Sequence, residues 1–65
     1  MKYVEDSDLP SWAKVAEQTP NFVTVELNQG WIELEKVEEL FLLGLECCAV
    51  TAAAIDKIII CCKKV

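Results

Sequence analysis

The sequence predicts a small α+β domain: a short N-terminal helix, a β-hairpin over about residues 22–27 and 31–35, and two C-terminal helices over about 35–43 and 52–64, with a connector or short strand between the helices. Three observations lead there. Phe22-Val23-Thr24-Val25-Glu26-Leu27 is β-branched and alternating, the pattern of a strand with one buried face. An acidic stretch with an apolar stripe runs into Gly44, as a helix runs into its stop. From Leu40 to Cys62, 18 of 23 positions are apolar, an excess for a chain of 65 residues. A chain of that size is one domain and buries only about 60% of its unfolded surface.

The chain is expected to begin with a helix. Asp8 suits a helix N-cap, Pro10 suits the first turn, and Trp12, Val15 and Ala16 lie at helical spacing. Thr19-Pro20-Asn21 ends that helix, because the residue before a proline is pushed towards extended geometry. Strand 22–27 then turns through Asn28-Gln29-Gly30 into Trp31-Ile32-Glu33-Leu34-Glu35, which alternates again. A loop from Leu27 to Gly30 pairs Val25 with Ile32 and Val23 with Leu34, and a one-residue slip would set apolar against charged side chains. That register leaves Phe22, Trp31, Glu33 and Glu35 on the outer face.

Glu35, Glu38 and Glu39 load the start of the next helix, Val37, Leu40 and Phe41 form its stripe, and Gly44 is its C′ residue. Leu42 and Leu43 widen the stripe beyond one face. Leu45–Val50 reads as a connector or short strand. Thr51 caps a last helix in which Ala52, Ile55, Ile59 and Cys62 share a face. The run Ile58-Ile59-Ile60 favours a strand, and Ala52, Ala53 and Ala54 tip the reading to helix.

Eleven acidic residues against six lysines and no arginine give a net charge of −5. Nucleic-acid binding relies on Lys and Arg to neutralise phosphates, so direct binding to nucleic acid is not expected. An acidic surface suits a basic site on another protein. Glu46 and the Asp56–Lys57 pair interrupt the only candidate membrane span, and Met1–Ser11 holds charges without the apolar run of a secretory leader. The expectation is a soluble, intracellular (cytoplasmic) protein.

Little catalytic chemistry is encoded. With no histidine, Ser–His and Cys–His nucleophiles are excluded. Ser7, Ser11, Thr19, Thr24 and Thr51 fit turn, cap or strand positions, and two glycines cannot build a phosphate loop. Cys47-Cys48 and Cys61-Cys62 are adjacent pairs whose side chains diverge, unlike the spaced pairs of a zinc site. They read as small buried hydrophobes, with redox or disulfide chemistry as the alternative. No cofactor, metal or catalytic residue is expected, and the chain is not expected to be an enzyme.

Leu43-Gly44-Leu45, followed by Ala49-Val50 and Ile55, resembles the turn and second helix of helix-turn-helix repressors over about residues 36–55. That resemblance implies a transcriptional regulator. The sequence departs from the pattern at Leu40, where the family has a small residue, and between Cys47 and Ile55, which offers no Arg, Lys, Asn or Gln to base edges. The preferred reading is a non-enzymatic interaction module, an acidic inhibitor or adaptor presenting Trp31, Glu33, Glu35, Glu38 and Glu39 to a basic partner. Ile58, Ile59 and Ile60 are expected to form the contact of a homodimer or larger complex.

Overall fold

Side-chain alternation at period two sets the core of this chain, most clearly over Phe22–Leu27 and Lys57–Lys64. A computed structural model describes residues 3–65. A 3-10 turn at Asp6–Asp8 precedes strand β1 (Lys14–Gln18), strand β2 (Phe22–Leu27), helix α1 (Leu34–Leu42), strand β3 (Leu45–Ala54) and strand β4 (Lys57–Lys64). The strands make one antiparallel sheet in the order β1-β2-β4-β3. β2 and β3 run in the same direction on either side of β4, so the connection between them must cross over β4, and α1 lies within it.

The register separates two faces. Val23, Val25 and Leu27 stand opposite Cys62, Ile60 and Ile58, and all six are buried. Leu40 of α1, Leu45, and Val4 and Ala13 of the N-terminal segment complete that core, with Leu9, Trp12, Val15, Ile32 and Cys47 packed at its margin. Burying a leucine such as Leu40 contributes about 1.5–3 kcal/mol, which is what pins so short a helix to the sheet. The opposite face carries Lys14, Glu17, Phe22, Thr24, Glu26, Lys57, Ile59, Cys61 and Thr51, and none of these is buried. A Glu26–Lys57 ion pair at 3.1 Å spans it. The Cα radius of gyration is 10.6 Å, close to the ~10.7 Å of a compact chain of this length.

The expected arrangement of three helices and one hairpin is overturned: the described residues are mostly β, with one α-helix and a 3-10 turn. The N-terminal helix is instead the turn at Asp6–Asp8 followed by β1. Val15 pairs with Val25, and Ala16, counted on the helical face, is the exposed bulge residue between Val15 and Glu17. Pro20 sits in the loop that folds β1 back on β2, where the Thr19 N–H donates to the Phe22 carbonyl at 2.7 Å. The strand expected at 22–27 is β2, but the second strand at 31–35 does not form. Residues 31–33 belong to no strand or helix, Glu33 is the extended N-cap of α1, and β2 pairs with β1 and β4 instead.

The helix expected at 35–43 is α1, shifted by one residue. Gly44 comes after its C-cap at φ +88°, a left-handed conformation that glycine adopts without a Cβ clash. The helix expected at 52–64 is absent. β3 and β4 form a hairpin about Ile55-Asp56, and Thr51 lies mid-strand rather than at a cap. Ile58, Ile60 and Cys62 alternate into the core, a burial that outweighs the helical preference of three alanines. The resemblance to a helix-turn-helix therefore stops at Gly44, because the chain continues from there as strand β3 and not as a second helix.

Candidate functional site

The segment Trp31–Leu42 gathers the acidic residues singled out in the sequence. Ile32 tucks against the core and Leu40 anchors the helix, which turns the rest of the segment outward. At about 100° per residue, Lys36, Leu40 and Leu43 face inward, Glu35, Glu38 and Leu42 face outward, and Leu34 and Phe41 share one flank. The other flank meets Trp12. The Trp12 Nε1 donates to Glu39 Oε2 at 3.3 Å, and the Lys36 ammonium lies 5.3 Å from the centre of the Trp12 ring.

Lys36 is the hub of this corner. Its Nζ is 3.1 Å from Glu33 Oε2 and donates to Gln29 Oε1 at 3.2 Å. The Trp31 indole donates to the other Glu33 oxygen at 3.1 Å. The Lys36 ammonium, then the Trp31 N–H, hold the Glu33 carboxyl below its ordinary pKa. The helix start is thus locked by a side-chain network in place of a cap to the helix backbone.

Glu35, Glu38 and Glu39 are all exposed, and the last turn of α1 holds no basic residue. Glu39 stands near the negative end of the helix dipole, where a carboxylate costs stability. Beside these carboxylates are Trp31, which the sequence placed on an outer face, and three apolar side chains that it did not. Leu34 is 72% exposed, Phe41 61%, Leu42 83% and Trp31 61%. The run Leu40-Phe41-Leu42-Leu43 was the signal, since four consecutive apolar residues cannot all face one side of a helix.

The isoleucines land differently. Ile58 and Ile60 lie in the protomer's own core, and only Ile59 reaches the open face of the sheet, half-buried between Glu26 and Thr51. All four cysteines are free thiols. Cys47 and Cys62 are direct cross-strand partners on the covered face, and Cys48 is the residue skipped where the register shifts between Cys47 and Ala49. Burial pushes the Cys62 thiol up to about 12, helped by the neighbouring thiols, and raises Cys47 in the same way. Thiols held protonated are poor nucleophiles. Among the described residues, no group of three or more potential ligands is arranged to hold a metal ion, and no helix is long and apolar enough to cross a membrane.

No protein-family model matches the chain, and the searches of curated proteins and of solved structures found no similar protein.

Proposed function

We propose that this chain is a non-enzymatic interaction module that docks the exposed surface of α1, with Trp31, onto a basic and partly apolar site of another protein. The observation that carries the reading is the composition of that surface: Leu34, Phe41 and Leu42 stand uncovered beside Glu35, Glu38 and Glu39 on one nine-residue helix. Leu34, Phe41 and Leu42 bury little surface within the protomer, and of the three carboxylates only Glu35 stands in the first turn, where the helix dipole favours it. Burial of the apolar side chains would supply affinity, at about 25 cal/mol per Å² before association costs. The carboxylates would steer and orient a cationic partner. An intracellular setting fits four unpaired cysteines.

The test is affinity capture from the native cell with matched variants. A genuine partner is retained by the wild-type chain, is lost with Phe41→Ser, and binds progressively less as salt rises. Replacing Glu35, Glu38 and Glu39 by Gln should flatten the salt dependence. A partner held equally well by Phe41→Ser and by the triple variant would refute the assignment. Both substitutions sit at exposed positions, so thermal melting should move little.

A further inference from the structure

The two edges of the sheet differ. At β1 the N-terminal segment is tied on: the Val15 N–H donates to Asp6 Oδ1 at 2.8 Å, and the Gln18 carboxamide exchanges two hydrogen bonds with the backbone of Val4, at 2.9 and 2.7 Å. Both edge strands are bulged, but β1 is also short and charged at Lys14 and Glu17. These are the usual defences of an edge strand against stray pairing. β3 is twice as long, and no element of the described residues lies beside it on its outer edge. From Cys47 to Ile55 it holds neither a charge nor a proline, and every residue from Cys48 to Ile55 is exposed.

Val50 is the telling residue. Pairing with Ile60 puts it on the covered face of the sheet, yet it remains 48% exposed. Its neighbour on that face, Ala52, is exposed as well.

We propose that β3 is a self-association edge, at which a second copy of this chain pairs antiparallel about a two-fold axis at Val50 and joins two four-stranded sheets into one. A two-fold axis relating antiparallel edge strands stands perpendicular to the sheet, so one residue must face its own copy. With Val50 on the axis, Ala49 faces Thr51 of the second copy, and Glu46 falls about level with its Ala54. An axis at Thr51 would bring Glu46 level with Asp56 of the second copy, a like-charge contact. The register shifts at Cys47/Ala49 and Ala52/Ala54 confine regular pairing to Ala49–Ala52, which narrows the axis to Val50 or Thr51 and leaves the like-charge contact to decide between them. The arrangement keeps both helices on one side of the joined sheet and covers the two Val50 side chains with each other.

This edge is independent of the α1 surface, and salt separates the two. Each copy carries a charge of −5, so screening strengthens self-pairing while it weakens docking to a cationic partner. Sedimentation equilibrium of the full chain, from micromolar to millimolar, should show a monomer–dimer equilibrium that tightens with salt. Val50→Lys should weaken it ~10-fold or more, and Thr51→Lys should weaken it too, with melting of both monomers unchanged. In a Cys48→Ser background, Val50→Cys should give a disulfide-linked dimer with oxidised glutathione, and the background alone should not. A chain that stays monomeric throughout, or a dimer that both lysine variants leave intact, overturns the proposal. A dimer that fails to cross-link through Val50→Cys overturns the axis.

Discussion

Substituting four isoleucines one at a time distinguishes the strand hairpin from a helix over residues 52–64. In the hairpin, Ile58 and Ile60 point into the core at 3% and 0% exposure, Ile59 is half-buried on the open face, and Ile55 sits in the turn at 97%. A helix would instead bury Ile55 and Ile59 together. Ile→Ala removes three carbons, worth about 2.4 kcal/mol at 0.8 kcal/mol per buried methylene, and the cavity left behind brings the expected cost to about 2–5 kcal/mol. Ile58→Ala and Ile60→Ala should each cost that much, Ile59→Ala about 1 kcal/mol, and Ile55→Ala less than about 0.5 kcal/mol. Total stability for 65 residues is on the order of 3–10 kcal/mol, so the loss at either core position is comparable with the whole and can unfold the chain. Ile60→Val, at about 0.5–1.5 kcal/mol, keeps the comparison measurable. Urea unfolding followed by tryptophan fluorescence and circular dichroism reads the midpoint, with the m-value expected to stay constant. If Ile55 and Ile59 prove as costly as Ile60, the strand assignment of β4 is wrong.

Single contacts set the other expected outcomes. A Cβ on Gly30 would lie 2.6 Å from the Ile55 carbonyl oxygen, so Gly30→Ala must displace backbone and should cost about 1–3 kcal/mol in a thermal or urea melt. The Cys62 thiol, raised to about 12 in the fold against an ordinary value of 9.0, keeps its proton when the unfolded chain loses its own. Its contribution to stability is therefore complete below pH 9 and is lost as pH climbs towards 12, at up to about 1.4 kcal/mol per pH unit. Urea titrations between those limits should show the fall, and Cys62→Ala should lessen it. With a thiol reagent at neutral pH, exposed Cys48 should react first and Cys62 only as the chain unfolds; prompt reaction of Cys62 would contradict its burial.

The parts of the fold legible in the sequence are those settled by local physics. β2 has strict alternation among β-branched residues, and α1 has acidic residues near its start and a glycine that accepts φ +88° at its end. β4 was not legible, because its residues satisfy two periods at once. Ile55, Ile59 and Cys62 fit a helical face, whereas Ile58, Ile60 and Cys62 fit a strand. The deciding factor is pairing with β2, some 35 residues upstream, which no local window contains. Trp31–Glu35 failed for a related reason: its alternation is genuine, but with β2 already flanked by β1 and β4 there is no free edge for it to join.

The surface residues show the same division. Trp31, Glu33, Glu35, Glu38 and Glu39 were grouped from their closeness in sequence; all five are exposed, three on α1 and Trp31 and Glu33 just ahead of it. Locating the uncovered apolar side chains required knowing which face of each element the sheet uses. The apolar excess of the C-terminal half pointed to Ile58 and Ile60, which alternation hides. The exposed remainder is carried by Leu34, Phe41 and Leu42 on the helix and by Val50 and Ile55 along β3 and its turn. These are two surfaces with different electrostatics, one crowded with carboxylates and one uncharged over nine residues. A single contact using both would answer to salt in one direction and to both substitutions alike. Separate contacts require that Phe41→Ser spare self-association, that Val50→Lys spare capture of a cationic partner, and that salt drive the two equilibria apart.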